Sequence, residues 1–351
     1  MSTVMEMFGL RTPLFQAPMA GGSTTPELVA AVSNAGALGS LACAMLPPDE
    51  IVRQSIQIRA QTDKPFALNL FVLEPPQPDD AVVAAGLARL QPVRDELGMP
   101  PADLPAIWCQ SCSAQLEAVL TVKPALVSFT FGIIDAATVR RLQDAGIRVM
   151  GTATNVAEAL AWQEAGADLV CAQGVEAGGH RGTFIGTFEA SYTGLATLLP
   201  RIVDAVRIPV VAAGGLMDGR GIAAALLMGA GAAQLGTAFL TCDESGIPSA
   251  YKQRLLQAGD TATAITRAFS GRPARALVNG FVERMRAIDA VLPPYPVQNA
   301  LTTPIRAFAA KAGQMEYVSM YAGQGAGMAR AMPAAELVAQ LQAETAALLP
   351  Q

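Results

Sequence analysis

Residues 148–174 read RVMGTATNVAEALAWQEAGADLVCAQG, and this stretch decides the fold. Arg148 to Thr154 is a short apolar run, Asn155 opens an Ala-rich helical pattern that stops at Gly166, and Leu169 to Gln173 is a second apolar run. Asn caps helices well because its side-chain oxygen satisfies an orphan N–H of the first turn, and Gly ends them because it accepts a left-handed conformation. Strand, helix and strand in under 30 residues make a βαβ unit with parallel pairing. Both runs are apolar throughout rather than alternating, as in strands covered on both faces.

The unit recurs in both directions. Candidate strands are Pro13 to Met19, Leu38 to Ala44, Phe66 to Val72, Ala125 to Phe131, Arg148 to Thr154, Leu169 to Gln173, Pro209 to Ala213 and Gly231 to Leu240. Helical patterns separate them, with Pro26 to Ala35 and Asp135 to Ala145 carrying the same kinds of start and stop signal. Eight β/α units in about 230 residues predict a TIM (β/α)8 barrel rather than an open doubly wound sheet. No GxGxxG follows the first strand, and Gly229-Ala-Gly231-Ala-Ala-Gln234 lacks the third Gly and precedes a strand. Walker A and GxSxG motifs are also missing. Two segments break the repeat: a Pro-rich insertion after the third strand, residues 74–105 with a helix over Asp79 to Leu97, and a mainly helical extension over 245–351. The expected organisation is a barrel over 1–244 with the extension packed across its mouth, its Met and aromatic residues serving packing.

Composition narrows the function. Of 351 residues 52% are hydrophobic and 15% charged, a balance that folds. The 24 basic and 29 acidic residues give a net charge of -5 with no basic cluster, so nucleic acid is not an expected partner. Mean hydropathy is +0.35, an excess due to Ala and Gly. The richest run, Gly221 to Ala233, meets Gln234 before a membrane span is reached, so no membrane association is expected. The start, MSTVMEMFGLRTP, lacks the basic and apolar regions of an export signal, and an odd count of 5 scattered cysteines fits a reducing compartment. A cytoplasmic location is expected. The single histidine, His180, removes every metal site that needs two imidazoles, and no metal is expected. Oligomeric state is left open.

Active sites of such barrels lie at the C-terminal ends of the strands. There the chain places Gln16-Ala-Pro-Met-Ala-Gly-Gly22, Asn69-Leu-Phe71, Gln173-Gly174 before Glu176-Ala-Gly-Gly-His180-Arg-Gly182, Ala212-Ala-Gly-Gly215 and Gln234-Leu-Gly-Thr237. Glycines let backbone N–H groups approach an anion, and the loops after the last two strands are the usual phosphate cradle of the fold. Asn69 and Gln173 carry donors and acceptors suited to a ring with N–H and C=O edges, such as a flavin. His180 follows two glycines beyond a strand end, and an ordinary pKa near 6.5 would suit proton transfer. Arg181 beside it could lower that pKa, and takes no assigned role. Trp108-Cys109-Gln-Ser-Cys112 has the spacing of a redox motif without its βαβ context. Lys64 and Lys123 precede strands, at the wrong end for Schiff-base chemistry.

The segments QAPMAGG (16–22), NLF (69–71), CAQGVEAGGHRG (171–182), AAGGLMDGRG (212–221), QLGT (234–237) and YAGQG (321–325) closely resemble class I nitronate monooxygenases, formerly 2-nitropropane dioxygenases. The likeness spans nearly the whole chain. It implies non-covalent FMN and oxidation of an alkyl nitronate by molecular oxygen to a carbonyl compound and nitrite, propionate 3-nitronate being the usual bacterial substrate. It further implies that Asn69, Gln173, Gly178, Gly215 and Gln234, Leu235, Gly236 and Thr237 contact FMN, with Gly215 and the QLGT turn nearest the phosphate. By the same resemblance Met19 and Gly21 would approach the flavin ring, and His180 would be catalytic, orienting or protonating the nitronate oxygen or removing the α-proton of a nitroalkane. Some relatives place a second Tyr and a Lys after the PYP motif; this chain keeps Tyr295 but has Asn299 and Thr303 there. On the same scaffold, an NAD(P)H:quinone reductase, an enoyl-acyl carrier protein reductase, or a non-catalytic flavin- or phosphate-binding barrel would share these residues.

Overall fold

The computed structural model describes residues 3–349; Met1 and Ser2, which open the start segment read above, lie outside the described residues. Eight parallel strands form the barrel: β1 (Leu14–Gln16), β2 (Gly39–Ala42), β3 (Phe66–Phe71), β4 (Leu126–Thr130), β5 (Arg148–Ala153), β6 (Leu169–Gln173), β8 (Val210–Ala213) and β9 (Ala232–Leu235). A two-residue strand outside the barrel, β7 (Gly179–His180), falls between β6 and β8 in sequence. The seam between β1 and β2 is closed by a Phe15–Leu38 bridge, in which Gln16 N donates to Leu38 O at 2.9 Å and Leu38 N to Leu14 O at 3.0 Å. The buried Gln16 side chain seals it further: Oε1 accepts from Ser40 N at 3.0 Å and Nε2 donates to Ala17 O.

Helix starts follow the sequence signals. Thr25, Asp79, Asp135 and Asn155 each accept an N–H of the following turn. Helices bury one stripe against the strands, which fill the inside of the barrel with Phe15, Leu38, Leu126, Met150, Leu169 and Val211. Val4 and Phe8 of the helix Thr3–Phe8 join that inner cluster and plug the barrel end away from the loops described below.

Two expectations change. The last barrel strand stops at Leu235, and Thr237–Leu240 is a helical turn. The registers explain it: Gln16 of β1 pairs with Leu235 and Ala213 of β8 with Gln234, so no neighbour remains for a longer strand. The extension is mainly helical, as expected, and also carries a small sheet. It contains β10 (Thr263–Thr266) and β11 (Ala274–Leu277), antiparallel, and β11 pairs with β7 so that Ala274 lies opposite His180. The extension also does more than cap the mouth: its last helix, Ala334–Ala346, returns to the outer wall, where Leu337, Val338 and Leu341 pack with Leu28, Val32 and Ile222. The insertion helix Asp80–Glu96 packs on the extension instead of on the barrel, sharing a core of Val83, Leu90, Val93, Phe269, Phe281, Val297 and Ile305.

Gly151 in β5 shows how tightly the barrel wall is built. A Cβ there would fall 2.0 Å from Cδ2 of Trp162, a fully buried indole that stacks on Phe129 with centroids 6.0 Å apart. Overpacking of this kind destabilises by about 1–3 kcal/mol. Gly151→Ala is therefore expected to lower the urea midpoint; an unchanged midpoint would show that the wall yields.

Candidate active site

A cavity of about 560 Å³ opens at the C-terminal ends of the strands, within the range of cofactor and small-ligand sites. Its lining includes Met19, Gly21, Asn69, Gln173, Gly178, His180, Gly215, Gln234, Gly236 and Thr237, so nearly all of the residues singled out from sequence converge there. Leu235 does not line it; its side chain packs between the barrel and the surrounding helices, leaving only its main chain near the site.

The loops that shape the cavity are tied to one another. Thr24 closes the loop after β1, its Oγ1 accepting from Met19 N and donating to Met19 O, both at 2.8 Å. Gly323 N donates to Thr237 Oγ1 at 2.9 Å and Gln324 N to Glu176 O at 2.9 Å, joining the extension to the ends of β9 and β6. The approach is too close for side chains: a Cβ on Gly178 would sit 2.5 Å from Gly323 N. Gly215, at φ +69°, turns the chain in a conformation that favours glycine.

The polar side chains of the floor divide into two sets. Gln173 is committed to the loop above it: Nε2 donates to His180 O at 3.0 Å, and Oε1 accepts from Gly182 N at 2.9 Å and from Arg181 Nη1 at 3.1 Å. It tethers the histidine loop more than it reads a ring. Asn69 donates through Nδ2 to Ser128 O and Oγ, leaving its carbonyl oxygen as an acceptor. Gln234 Oε1 is buried with no hydrogen-bond partner, and Gln234 Nε2 meets only Cys171 Sγ at 3.6 Å. Burial pushes the Cys171 thiol up to about 12, so that sulfur is neutral. Orphaned buried acceptors are uncommon and call for a ligand donor. A roomy cavity with such an acceptor, Gln234 Oε1, on its floor and glycine loops at its edge fits a planar heterocycle with N–H edges and an anionic tail.

His180 stands in an aromatic enclosure, its ring centroid 5.2 Å from Tyr321, 5.5 Å from Phe131, 5.6 Å from Tyr295 and 6.4 Å from Phe71. Phe131 is held at φ +78°, rare for a bulky residue, by Phe71 against one side and the Arg272 guanidinium 3.9 Å from its ring centroid. Loss of water around the imidazole, then the positive charges of Arg272 and Arg306, hold its pKa down at about 3. This corrects the expectation of an ordinary titration near neutrality: the imidazole is uncharged throughout the physiological range. Arg181 is not the cause, since its own guanidinium is buried and donates to Gln173 O, Gly174 O and Ser191 O.

The tautomer follows from a short chain of bonds. Ser270 Oγ donates to Arg272 O at 3.1 Å, and a carbonyl can only accept. With the hydroxyl proton so placed, the 2.8 Å contact between His180 Nε2 and Ser270 Oγ is made by Nε2–H donating to the serine oxygen. Nδ1 is then the unprotonated nitrogen. Ser270 and Phe131 were not singled out from sequence, and only the β7–β11 pairing, invisible to local patterns, brings Ser270 to His180. Tyr295 and Tyr321, read as packing, line the cavity because the loops that carry them cross its mouth. Cys109 and Cys112 lie outside the cavity; burial raises both thiols, Cys112 to about 11, which is unsuited to redox exchange.

Fold and site together define an α/β barrel with a ligand-sized cavity at the strand ends. A family model described as nitronate monooxygenase matches residues 2–344. A nitronate monooxygenase of Paraburkholderia phytofirmans is 43% identical over 345 residues, covering 97% of this chain and 94% of that protein. The solved nitroalkane oxidase of Streptomyces ansochromogenes superposes with a TM-score of 0.91 at 43% identity, covering 99% of this chain and 98% of that one. FabK of Thermotoga maritima superposes with a TM-score of 0.78 at 28% identity, covering 99% and 96%. The chain belongs to the nitronate monooxygenase family, whose members are flavin-dependent oxidoreductases.

The depressed pKa of His180 has a consequence for stability. In the unfolded chain an imidazole takes up its proton near pH 6.5, whereas the folded chain resists protonation down to about 3. The unfolded state binds more protons in that window, so His180 draws stability away as pH falls from about 6.5 towards 3. His180→Gln is expected to flatten the fall in urea midpoint between pH 7 and pH 4; a slope equal to that of the parent protein would contradict the assignment.

Proposed function

We propose that this chain oxidises alkyl nitronates of the propionate 3-nitronate type with molecular oxygen, yielding a carbonyl compound and nitrite, with FMN as its cofactor. The observation that carries the reading is the pairing of one orphaned acceptor on the cavity floor, Gln234 Oε1, with an uncharged imidazole in the aromatic wall. Asn69 Oδ1 and Gln234 Oε1 would accept from the flavin ring, and Met19 and Gly21 would lie beside it. Gly178, Gly215, Gly236, Thr237 and the main chain of Leu235 would cradle the phosphate, with Gln173 holding the histidine loop in place. When bound, FMN supplies the one-electron chemistry that side chains cannot perform.

The protein's part is to bind, orient and shelter. Phe71, Phe131, Tyr295 and Tyr321 keep bulk water from the reacting carbon. His180 Nδ1, having no proton to give, serves as acceptor; with a neutral nitroalkane it takes the α-proton, and the imidazolium formed lies beside the nitronate anion, which offsets the repulsion of Arg272 and Arg306. Ser270 holds the ring so that Nδ1 is presented. The same reading takes 1–244 as the barrel with its 74–105 insertion, 245–351 as the extension, and the cytoplasm as the location, in keeping with the odd cysteine count.

His180→Asn is expected to retain bound flavin and lose most oxygen uptake with a neutral nitroalkane, about 10²- to 10⁴-fold as for other acid–base groups. An unchanged rate would reject the role. In the parent protein, rapid anaerobic bleaching of the flavin by NADH or NADPH without oxygen uptake on propionate 3-nitronate would replace this reading with that of a reductase.

A further inference from the structure

One fully buried carboxylate takes no part in the chemistry described so far. Glu158 is withdrawn from solvent and does not line the cavity, and every group that donates to it is uncharged. Its Oε2 accepts from Thr154 N at 2.6 Å and Thr154 Oγ1 at 2.8 Å, and its Oε1 from Phe184 N at 2.5 Å and Ile185 N at 2.9 Å. Glu158 is the third residue of the helix Val156–Glu164, whose cap is Asn155. At that position a Glu ordinarily reaches back to the N–H of the cap itself. Here it reaches past the cap to the end of β5 and across to the loop that follows His180. Asn155 braces the same junction, its Nδ2 donating to Ile185 O at 3.0 Å.

A carboxylate out of water is costly unless both of its oxygens are filled. Each oxygen of Glu158 serves a different segment, and an amide could serve only one, since its nitrogen accepts nothing. The segment joined to β5 is the one that carries the base. His180 pairs with Ala274 of β11, Gly182 N donates to Gln173 Oε1, and Thr183 Oγ1 lies 2.9 Å from Thr154 Oγ1. Glu158 closes the far end of that run. Thr183 O also accepts from Arg272 Nη2 at 2.5 Å, and the carbonyl of Arg272 holds the Ser270 hydroxyl that meets His180 Nε2. The carboxylate charge acts on the buried guanidiniums of both Arg181 and Arg272. A shift at residues 183–185 therefore reaches the imidazole twice, along the chain and through Arg272 and Ser270.

We propose that Glu158 is a positioning residue for the reaction: by locking residues 181–185 to the end of β5 it fixes the direction and the tautomer in which His180 presents Nδ1. It touches neither substrate nor flavin. The role rests on His180 being the base of nitroalkane oxidation and adds the group outside the cavity that sets its aim.

The flavin-loaded, full-length protein tests this with nitroethane, which must lose its α-proton, and with ethyl nitronate prepared in advance, which has already lost it. Glu158→Gln is expected to lower kcat for nitroethane about ten- to hundredfold, the effect of moving a reacting group by about 1 Å. For ethyl nitronate kcat should fall by less than about threefold, because no proton leaves carbon there. The nitrogen-15 resonances of His180 should pass from a single Nε2–H form to a mixture with Nδ1–H, with flavin absorbance per protein at the parent value. Thr154→Val, which removes one donor and keeps the side-chain shape, should move the ratio of the two rates in the same direction by about fivefold, and it tests the role even where Glu158→Gln does not fold. Equal losses on both substrates, or a parental ratio in a folded variant, would overturn the role, as would a purely Nε2–H ring in Glu158→Gln. Parent protein that oxidises neither substrate would instead overturn the nitronate reading, a distinguishable result.

Discussion

One imidazole is kept uncharged by partial withdrawal from water and by the positive charges of two guanidiniums, and the rest of the site is arranged around that constraint. An imidazolium there would be poorly solvated and repelled by both Arg272 and Arg306. The neutral ring has one donor and one acceptor, so its function depends on which nitrogen bears the proton. Ser270 selects Nε2–H when its own proton is given to Arg272 O. Arg272 therefore acts twice, as a charge that disfavours protonation and through its main chain as the anchor of the serine. It is itself fixed by donating to Arg181 O and Thr183 O and by lying over Phe131 and Phe188.

None of this can be assembled by the barrel alone. The strand ends supply Asn69, Gln173, Gln234 and the glycine turns, while Ser270, Arg272, Tyr295, Arg306 and Tyr321 come from the extension. The two halves are joined by the β7–β11 pairing, which sets Ala274 opposite His180, and by the Gly323 to Thr237 bond. The insertion after β3 braces the extension from behind through the Val83, Leu90 and Phe281 core. The helix bearing Arg306 is thus held in place by a segment that touches no part of the reaction.

The barrel and the floor of the site were legible in the sequence because they are local. Apolar runs, Asx caps and glycine stops repeat along the chain, and the fold rule that ligands sit at strand ends turns Asn69, Gln234 and Gly215 into candidates without knowledge of any contact. What escaped depends on pairing across more than 90 residues. Ser270 sits in a turn between two four-residue strands with no periodicity to betray it, and Arg306 reads on the helix as one more polar residue until the cavity shows that no acid faces it. The depressed pKa of His180 was equally hidden, since it comes from the enclosure and from distant arginines, whereas the adjacent Arg181 points away. Gln173 illustrates a subtler miss: the position was right, but its amide is engaged with the His180 loop.

Because the chain contains a single histidine, nitrogen-15 resonances of its imidazole report on His180 without ambiguity. A protonated Nε2 and a bare Nδ1 are expected, with shifts that stay constant between pH 8 and pH 5. A doubly protonated ring within that range, or a proton resident on Nδ1, would contradict it.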